Sequence, residues 1–288
     1  MTDGEHQEEN TYVFDTESAT EMARLIDQDR RLTQGMGGAM VGFPELAAGS
    51  QIVDLACGPG GWAMDVAYAR PDIDVAGVDV SQTMIGYANA RARSQELNNV
   101  TFGIMDITQP LEFSDASFDL VNARALIAVL RREAWQPFIA ECFRILKPGG
   151  TLRLTEGVDF GVTNSPAVER MHTAGAAMLK PLGYSFSVDG RTFGLMPVLP
   201  RLLREGGFQD VRTLGYAIEF SAGTPAWIDY YHNYEIAFLQ SKSTMIKLGL
   251  ITEEEFDQSY QQLFIDMNQP DFGGMAMLAS VIATKPAD

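Results

Sequence analysis

The chain of 288 residues is poor in cysteine, in histidine and in positive charge. Its two cysteines, Cys57 and Cys142, sit in no CxxC or Cys/His cluster. That argues against a structural metal site and predicts two free, buried thiols. Lys and Arg total 21 against 38 Asp and Glu, a formal charge of −17. The longest basic clusters are the pairs Arg30-Arg31 and Arg131-Arg132. Such a field repels a phosphate backbone, so nucleic acid and anionic membrane surfaces are excluded as partners. There is no run of about 18 apolar residues and no charged start followed by an apolar stretch, which predicts no membrane segment and a cytoplasmic protein. Repeats and low-complexity segments are absent too. What is present is enough apolar residue, 46%, for a sizeable core.

The order of apolar runs predicts the architecture. Residues 1–10 are polar and acidic and are expected to be a disordered tail. Residues 11–49 form an N-terminal helical segment, in which Ser18 and Glu21 stand at capping-box spacing. From Gln51 two periods alternate. QIVDLA, DVAGVDV, VTFGIMDI, FDLVNARAL and TLRLTEGV read as strands, the first of them buried on both faces. GWAMDVAYAR, SQTMIGYANARARSQE and EAWQPFIAECFRIL read as the helices between them, the last closed by KPGG. This rhythm predicts an α/β fold with a mostly parallel, doubly wound sheet and helices on both faces. After Gly157 it breaks. FQDVRTLG and MAMLASVIATKP read as two more strands. The segments 158–200 and 221–272 read as insertions beyond the strand ends, where a helical lid belongs, within a domain spanning 50–288.

The turn after the first strand carries the chemistry. Gly58, Gly60 and Ala63 fit the loose G-x-G-x-x-G/A pattern of dinucleotide sites, and Asp79 stands about 20 residues on, where an acid holds ribose hydroxyls. That much suits a nicotinamide dinucleotide. Three features oppose it. Asp54 places a carboxylate in the strand before the glycines, where a pyrophosphate gains nothing but an ammonium and a sulfonium do. Asp106, with Ile107 beside it, ends the third strand as a partner for an adenine edge. No second nucleotide-binding half follows.

Together VDLACGPGG, GVDVSQTM, GIMDI, FDLVNARALIAVL and FRILKPGGTLRLTE resemble the class I S-adenosylmethionine-dependent methyltransferases, in particular those acting on small molecules. The resemblance spans residues 50–160 and extends to the closing strand. It implies a Rossmann-like seven-stranded sheet with an antiparallel seventh strand, and S-adenosyl-L-methionine as cofactor. It implies Asp54, Ala56, Gly58 and Gly60 under the methionine and ribose, and Asp79 on the ribose hydroxyls. Val80 and Met84 would flank the adenine, and Asp106 and Ile107 would meet its edge. Asn122 and Ala123 would line the methionine side. The stretch YVFDTESATEMARLIDQDRRL resembles a segment of one subgroup, with Tyr12, Glu21, Arg24, Leu25 and Gln28 matching. This implies a helix over the cofactor, with Gln28 near it and Tyr12 near the transferred methyl. The helix packs on its own chain or on a neighbour, and the second case makes a homo-oligomer. Arg124 and Glu156 also match the subgroup and are expected as an ion pair beneath the pocket.

Methyl transfer is a displacement at an already activated carbon. Alignment and exclusion of water matter most, and a base is needed only where the acceptor must lose a proton. The candidate catalytic residues are His172, His232, Glu156 and Tyr12, with Asp159 beside them; His6 lies in the acidic tail. The fourth strand ends NARA, unlike the pattern of enzymes methylating amino groups of bases or glutamine, and no Pro-Cys pair suggests pyrimidine C5 chemistry. The expected acceptor is an O or C atom of a small apolar or aromatic molecule, met by lid residues such as Met171, Met178, Phe186, Phe193, Met196, Trp227, Tyr230, Tyr231 and Tyr234. Two alternatives stand: an NAD-dependent oxidoreductase, and a protein that binds S-adenosylmethionine without transferring methyl.

Overall fold

In the computed structural model, which describes residues 14, 15 and 17–287, the elements follow the alternation of the sequence. After helix α1 (Ala19–Gly35) come β1 (Gln51–Leu55), α2 (Gly61–Ala69), β2 (Asp74–Asp79), α3 (Gln82–Ser94), β3 (Val100–Ile104), β4 (Phe118–Arg124), α4 (Trp135–Ile145) and β5 (Leu146–Gly157). Then follow β6 (Val162–Thr163), α5 (Pro166–Leu179), α6 (Leu199–Glu205), β7 (Gln209–Glu219), α7 (Trp227–Lys247), α8 (Glu253–Met267) and β8 (Gly274–Thr284). The tail 1–10, with His6, and Tyr12 lie outside the described residues.

The sheet has the order β3-β2-β1-β4-β5-β8, with β7 beyond β8. Strands β1 to β5 are parallel, and β8 runs antiparallel to both β5 and β7. The chain winds outward from β1 to β3 and then crosses back to β4. At that reversal the loops after β1 and β4 diverge and leave a crevice at the carboxyl ends of the strands.

Apolar runs become strands buried on both faces because helices cover both sides. Trp62, Met64, Val66 and Ala92 of α2 and α3 pack with Ile52, Val75 and Leu120 on one side. Trp135, Phe138, Ile139 and Cys142 of α4 pack with Val53, Val121 and Leu154 on the other. Two details differ from the sequence expectation. Among the described residues the sheet has eight strands rather than seven, because two residues of β6 pair with Gly274 and Met275 of β8. KPGG does not separate α4 from β5: the strand begins at Leu146, and the pairing with β4 shifts register between Phe118↔Leu146 and Leu120↔Thr151. Gly149, at φ +78°, takes up that irregularity in a conformation other residues rarely adopt.

Beyond the strand ends lies a second core. It joins Leu32 of α1, Val168, Met171 and Met178 of α5, Tyr230, Tyr234, Phe238 and Met245 of α7, and Phe256, Leu263 and Met267 of α8. Helix α1 is tied to α7 of its own chain: Arg24 Nη1 donates to Asn233 Oδ1 (3.0 Å) and Arg30 Nη2 to Asp229 Oδ1 (2.6 Å). The capping box is half formed. Ser18 Oγ accepts from Glu21 N–H at 3.4 Å, but the Glu21 carboxylate turns to Arg24.

Candidate functional site

Two cavities meet at the carboxyl ends of the parallel strands. The first has about 950 Å³ of empty space and sits over the crevice between β1 and β4. Of the residues expected to bind cofactor, Asp54, Ala56, Gly58, Asp79, Val80, Met84, Asp106, Ile107 and Gln28 line it. The rest of its wall includes Leu25, Asp29, Met105, Arg124, Leu126 and Val129.

The glycine turn is built by its own backbone and by Asp79. Ala56, Gly58 and Gly60 all have positive φ, at 54°, 54° and 77°. Gly58 N–H donates to Asp79 Oδ2 (2.8 Å), and Ser81 N–H donates to Asp79 Oδ1 (3.0 Å). One carboxylate thus fixes both the turn and the start of α3, with its other lone pairs toward the cavity. Burial raises its pKa, against those two hydrogen bonds. Asp106 Oδ1 accepts from the N–H and hydroxyl of Thr108, both at 2.8 Å. Val80, 40% exposed, presents an apolar side chain to the cavity opposite the buried Met84.

Asp54 is 3% exposed and makes no ion pair among the described residues. Asn122 Nδ2 donates to its Oδ1 at 2.6 Å, and Arg153 Nε donates to Asn122 Oδ1 at 2.8 Å. Burial pushes the Asp54 carboxyl up to about 7, although Arg124 and Asn122 pull it down. Arg153 is packed over Phe43 and Trp62, and its Nη1 donates to the carbonyls of Ala39 and Val41.

Three of the residues expected to touch a cofactor do not line the cavity. Gly60 caps α2, and a Cβ there would meet Phe102 at 2.6 Å, so its smallness serves packing. Asn122 and Ala123 are fully buried, because β4 continues to Arg124; Arg124 and Ala125 reach the cavity instead. Arg124 does not pair with Glu156. Its Nη2 binds Asp29, and its Nη1 donates to Thr33 Oγ1 (3.0 Å). Asp29 carried no motif in the sequence. It fits because Gly61 lacks a side chain: a Cβ there would lie 2.0 Å from Asp29 Oδ2.

The second cavity has about 1120 Å³ of empty space and lies between the sheet and the helical layer. Gln28, Leu32 and Ala125 line both cavities. Its wall is mostly apolar and aromatic, with Phe14, Phe160, Met178, Phe193, Tyr230, Tyr234, Phe238 and Met245. Met171 is in the core, and Trp227 is held by its Nε1–H donating to Met267 O (2.8 Å).

The candidate catalytic residues separate. Glu156 lines the second cavity and is 1% exposed. Its carboxylate accepts from Leu126 N–H (2.6 Å) and Ile127 N–H (3.3 Å), the amides that follow the left-handed Ala125. Burial raises its pKa to about 8 against those two bonds, so it is mostly protonated at neutral pH. Asp159 lines the same cavity and accepts from Gly161 N–H (2.9 Å). His172 lies behind the wall, stacked on Phe160 at 5.9 Å and edge-on to Tyr234 at 5.1 Å. Its Nδ1 bonds the Gly161 carbonyl at 3.0 Å, which puts the proton on Nδ1. Nε2 has no partner among the described residues, and burial lowers the pKa to about 4. His232 is exposed on α7 and lines neither cavity.

The sheet order, the glycine turn and the acids within β1, at the end of β2 and after β3 are those of a class I S-adenosylmethionine-dependent methyltransferase fold. Residues 52–150 match the model of a family described as the methyltransferase domain. The chain is 33% identical over 191 residues to a 27-O-demethylrifamycin SV methyltransferase of Amycolatopsis mediterranei, covering 64% of this chain and 65% of that one. It is 29% identical over 167 residues to phosphoethanolamine N-methyltransferase 3 of Arabidopsis thaliana, covering 58% of this chain and 30% of that one. The match therefore spans less than two thirds of either relative. A solved phosphoethanolamine N-methyltransferase 2 of Haemonchus contortus, in complex with phosphomonomethylethanolamine and S-adenosylhomocysteine, shares the fold with a TM-score of 0.52 and 21% identity. That likeness covers 92% of this chain and 52% of the other.

Proposed function

We propose that the chain binds S-adenosyl-L-methionine in the first cavity and transfers its methyl group to an O or C atom of a small, apolar or aromatic molecule in the second. The observation that carries this is the pair of adjoining cavities with opposite linings. One is walled by Asp54, Asp79 and Asp106 around a glycine turn, the other by aromatic and Met side chains, and Gln28, Leu32 and Ala125 border both.

The residues present fit the cofactor. Asp54 is a buried carboxylate with no cation paired to it among the described residues, and an ammonium group supplies one. Asp79 has lone pairs left for ribose hydroxyls after binding Gly58 and Ser81. Asp106 has a second carboxylate oxygen for an amino group, and Val80 and Met84 give an adenine ring apolar surfaces. A pyrophosphate would meet three carboxylates here, which disfavours the dinucleotide reading. The cofactor supplies a methyl carbon activated by a sulfonium charge. The chain's tasks are then to align the acceptor, to exclude water through the helical layer, and to take a proton where the acceptor carries one. Glu156 and Asp159 are the acids that reach the acceptor's cavity, and Glu156 works as a base only once ionised. Tyr12 keeps its proposed place near the methyl, and residues 158–200 and 221–272 act as the lid.

Calorimetry with S-adenosylmethionine and S-adenosylhomocysteine, beside NADH, tests the cofactor. Both adenosyl compounds bind and NADH does not; no binding of either at millimolar concentration overturns the proposal. Release of S-adenosylhomocysteine in the presence of phenols, quinols and polyketides tests the transfer. A chain that binds the cofactor but never turns over would be a binding protein.

A further inference from the structure

Four arginines of this chain are nine-tenths buried or close to it; two pair with carboxylates, and a third lies away from both cavities. Arg24 grips Glu21 through Nε (2.8 Å) and Nη2 (2.6 Å). Arg124 pairs with Asp29. Arg153, in the core and lining neither cavity, donates to Asn122 and to two backbone carbonyls, and its Nη2 has no partner among the described residues. Arg31 differs. It is 7% exposed and lines the second cavity, yet makes no ion pair among the described residues. Its Nη1 donates to the carbonyl of Asp229 (3.1 Å), and its Nε has no partner.

The groups around it do not neutralise it. The Tyr230 ring lies 4.4 Å from the guanidinium carbon, which gives a cation–π contact. The carboxylate of Asp229 is taken by Arg30. Arg24, about two helical turns back along α1, adds repulsion, and Asp159 in the same cavity binds Gly161 N–H. Burial depresses the Arg31 pKa, the mark of a cation short of counter-charge. A buried charge without its partner is costly, and a cavity wall is where a ligand can supply one.

We infer that the acceptor molecule carries a carboxylate that docks on Arg31. This rests on the proposal that the second cavity holds the methyl acceptor. A guanidinium presents a planar fork of donors matched to carboxylate oxygens. With the Asp159 carboxylate in the same cavity and Arg24 committed to Glu21, one guanidinium suits one negative charge better than the two of a phosphate monoester. Arg31 is three residues beyond Gln28, so the docking point is about 4.5 Å along α1 from the border of the two cavities. The carboxylate is therefore an anchor at one end, with an apolar or aromatic body against Phe160, Phe193 and Met178.

The test titrates protein saturated with S-adenosylhomocysteine with 2-naphthoate and with 2-naphthamide, by calorimetry. The acid binds at least tenfold more tightly than the amide. Arg31→Gln removes that preference without changing amide affinity, and Arg31→Lys, which keeps the charge, retains part of it. Circular dichroism and S-adenosylhomocysteine affinity report whether each variant is folded. Equal affinity for acid and amide, no binding of the acid, or a preference that survives Arg31→Gln overturns the inference. Failure of wild type to bind S-adenosylhomocysteine overturns the cofactor proposal instead, and the acid–amide comparison on unloaded protein still reads Arg31.

Discussion

Asp54→Asn should strengthen the empty protein and weaken its grip on cofactor. The carboxyl titrates at about 7 against an ordinary 3.8, because it is buried and lacks an ion-pair partner. At 1.36 kcal/mol per pH unit, this costs about 4 kcal/mol of folding free energy once the pH exceeds both values. The sign follows from proton count. Between 3.8 and about 7 the folded chain holds a proton that the unfolded chain has released. Stability from this group is therefore complete below 3.8 and is lost as the pH rises through about 7. Asn cannot ionise, and its Oδ1 still accepts from Asn122. The assay is urea unfolding of both proteins at pH 5 and pH 8.5 without cofactor. The variant gains on wild type as the pH rises, by a few kcal/mol at the upper pH. Glu156 titrates in both proteins and cancels in the difference. Calorimetry with S-adenosylhomocysteine at pH 8.5 reads the other side: the variant loses about 1.5–3 kcal/mol, the worth of a hydrogen bond to a charged group. Wild-type affinity itself falls as the pH drops below about 7. A variant less stable than wild type at pH 8.5, or one that binds cofactor equally well, refutes the reasoning.

Asp79→Ala should weaken S-adenosylhomocysteine binding by about 1–3 kcal/mol, since it removes charge-assisted hydrogen bonds and releases Gly58 N–H; unchanged affinity in calorimetry contradicts it. The two turn glycines should part company. Gly60→Ala collides with Phe102 at 2.6 Å and is strained at φ +77°, so it costs about 2–4 kcal/mol in thermal or urea unfolding. Gly58→Ala meets only Leu25 at 4.0 Å, so it loses roughly 1 kcal/mol of stability to its positive φ and shows its main effect in cofactor affinity. If Glu156 takes the acceptor's proton, wild-type turnover rises with pH through about 8. Glu156→Gln then lowers kcat with little change in S-adenosylhomocysteine affinity, and a flat pH profile with full turnover in the variant sinks that role.

The parts of the site legible in the sequence were those with local signals. Strands β1 to β3 announce themselves as apolar runs closed by glycine or an acid, and the parallel sheet then gathers Asp54, Asp79 and Asp106 at the carboxyl ends of its strands. His232 was misplaced although the information was present. Tyr230, Tyr234 and Phe238 recur at helical spacing and face the cavity, so a residue two positions from Tyr230 must point away. The resemblance points Asn122 at the methionine side, but inside β4 it is fully buried and its amide turns to Asp54. The pairing of Arg124 with Asp29, 95 residues apart, and the burial of Arg31 under α7 depend on how α1 docks, which no local pattern encodes.

The chain from Arg153 through Asn122 to Asp54 gives the buried carboxylate its physical sense. A buried acid on its own would stay protonated and offer an ammonium group little. Asn122 is held in one orientation, its oxygen on Arg153 and its amide on Asp54. Arg153 is held in place, because the Phe43 and Trp62 rings pack against it and two carbonyls accept from its Nη1. The positive end of this relay is therefore locked in the core and its negative end opens to the cavity. The nearby charge of Arg124 and this relay together bring Asp54 to the threshold of ionisation without completing it, so the remaining step falls to a cation in the first cavity. Replacing Asn122 with Leu breaks the relay without touching the cavity wall. Its effect on the pH dependence of cofactor affinity would measure how much of the site's preference for a cation is set from behind.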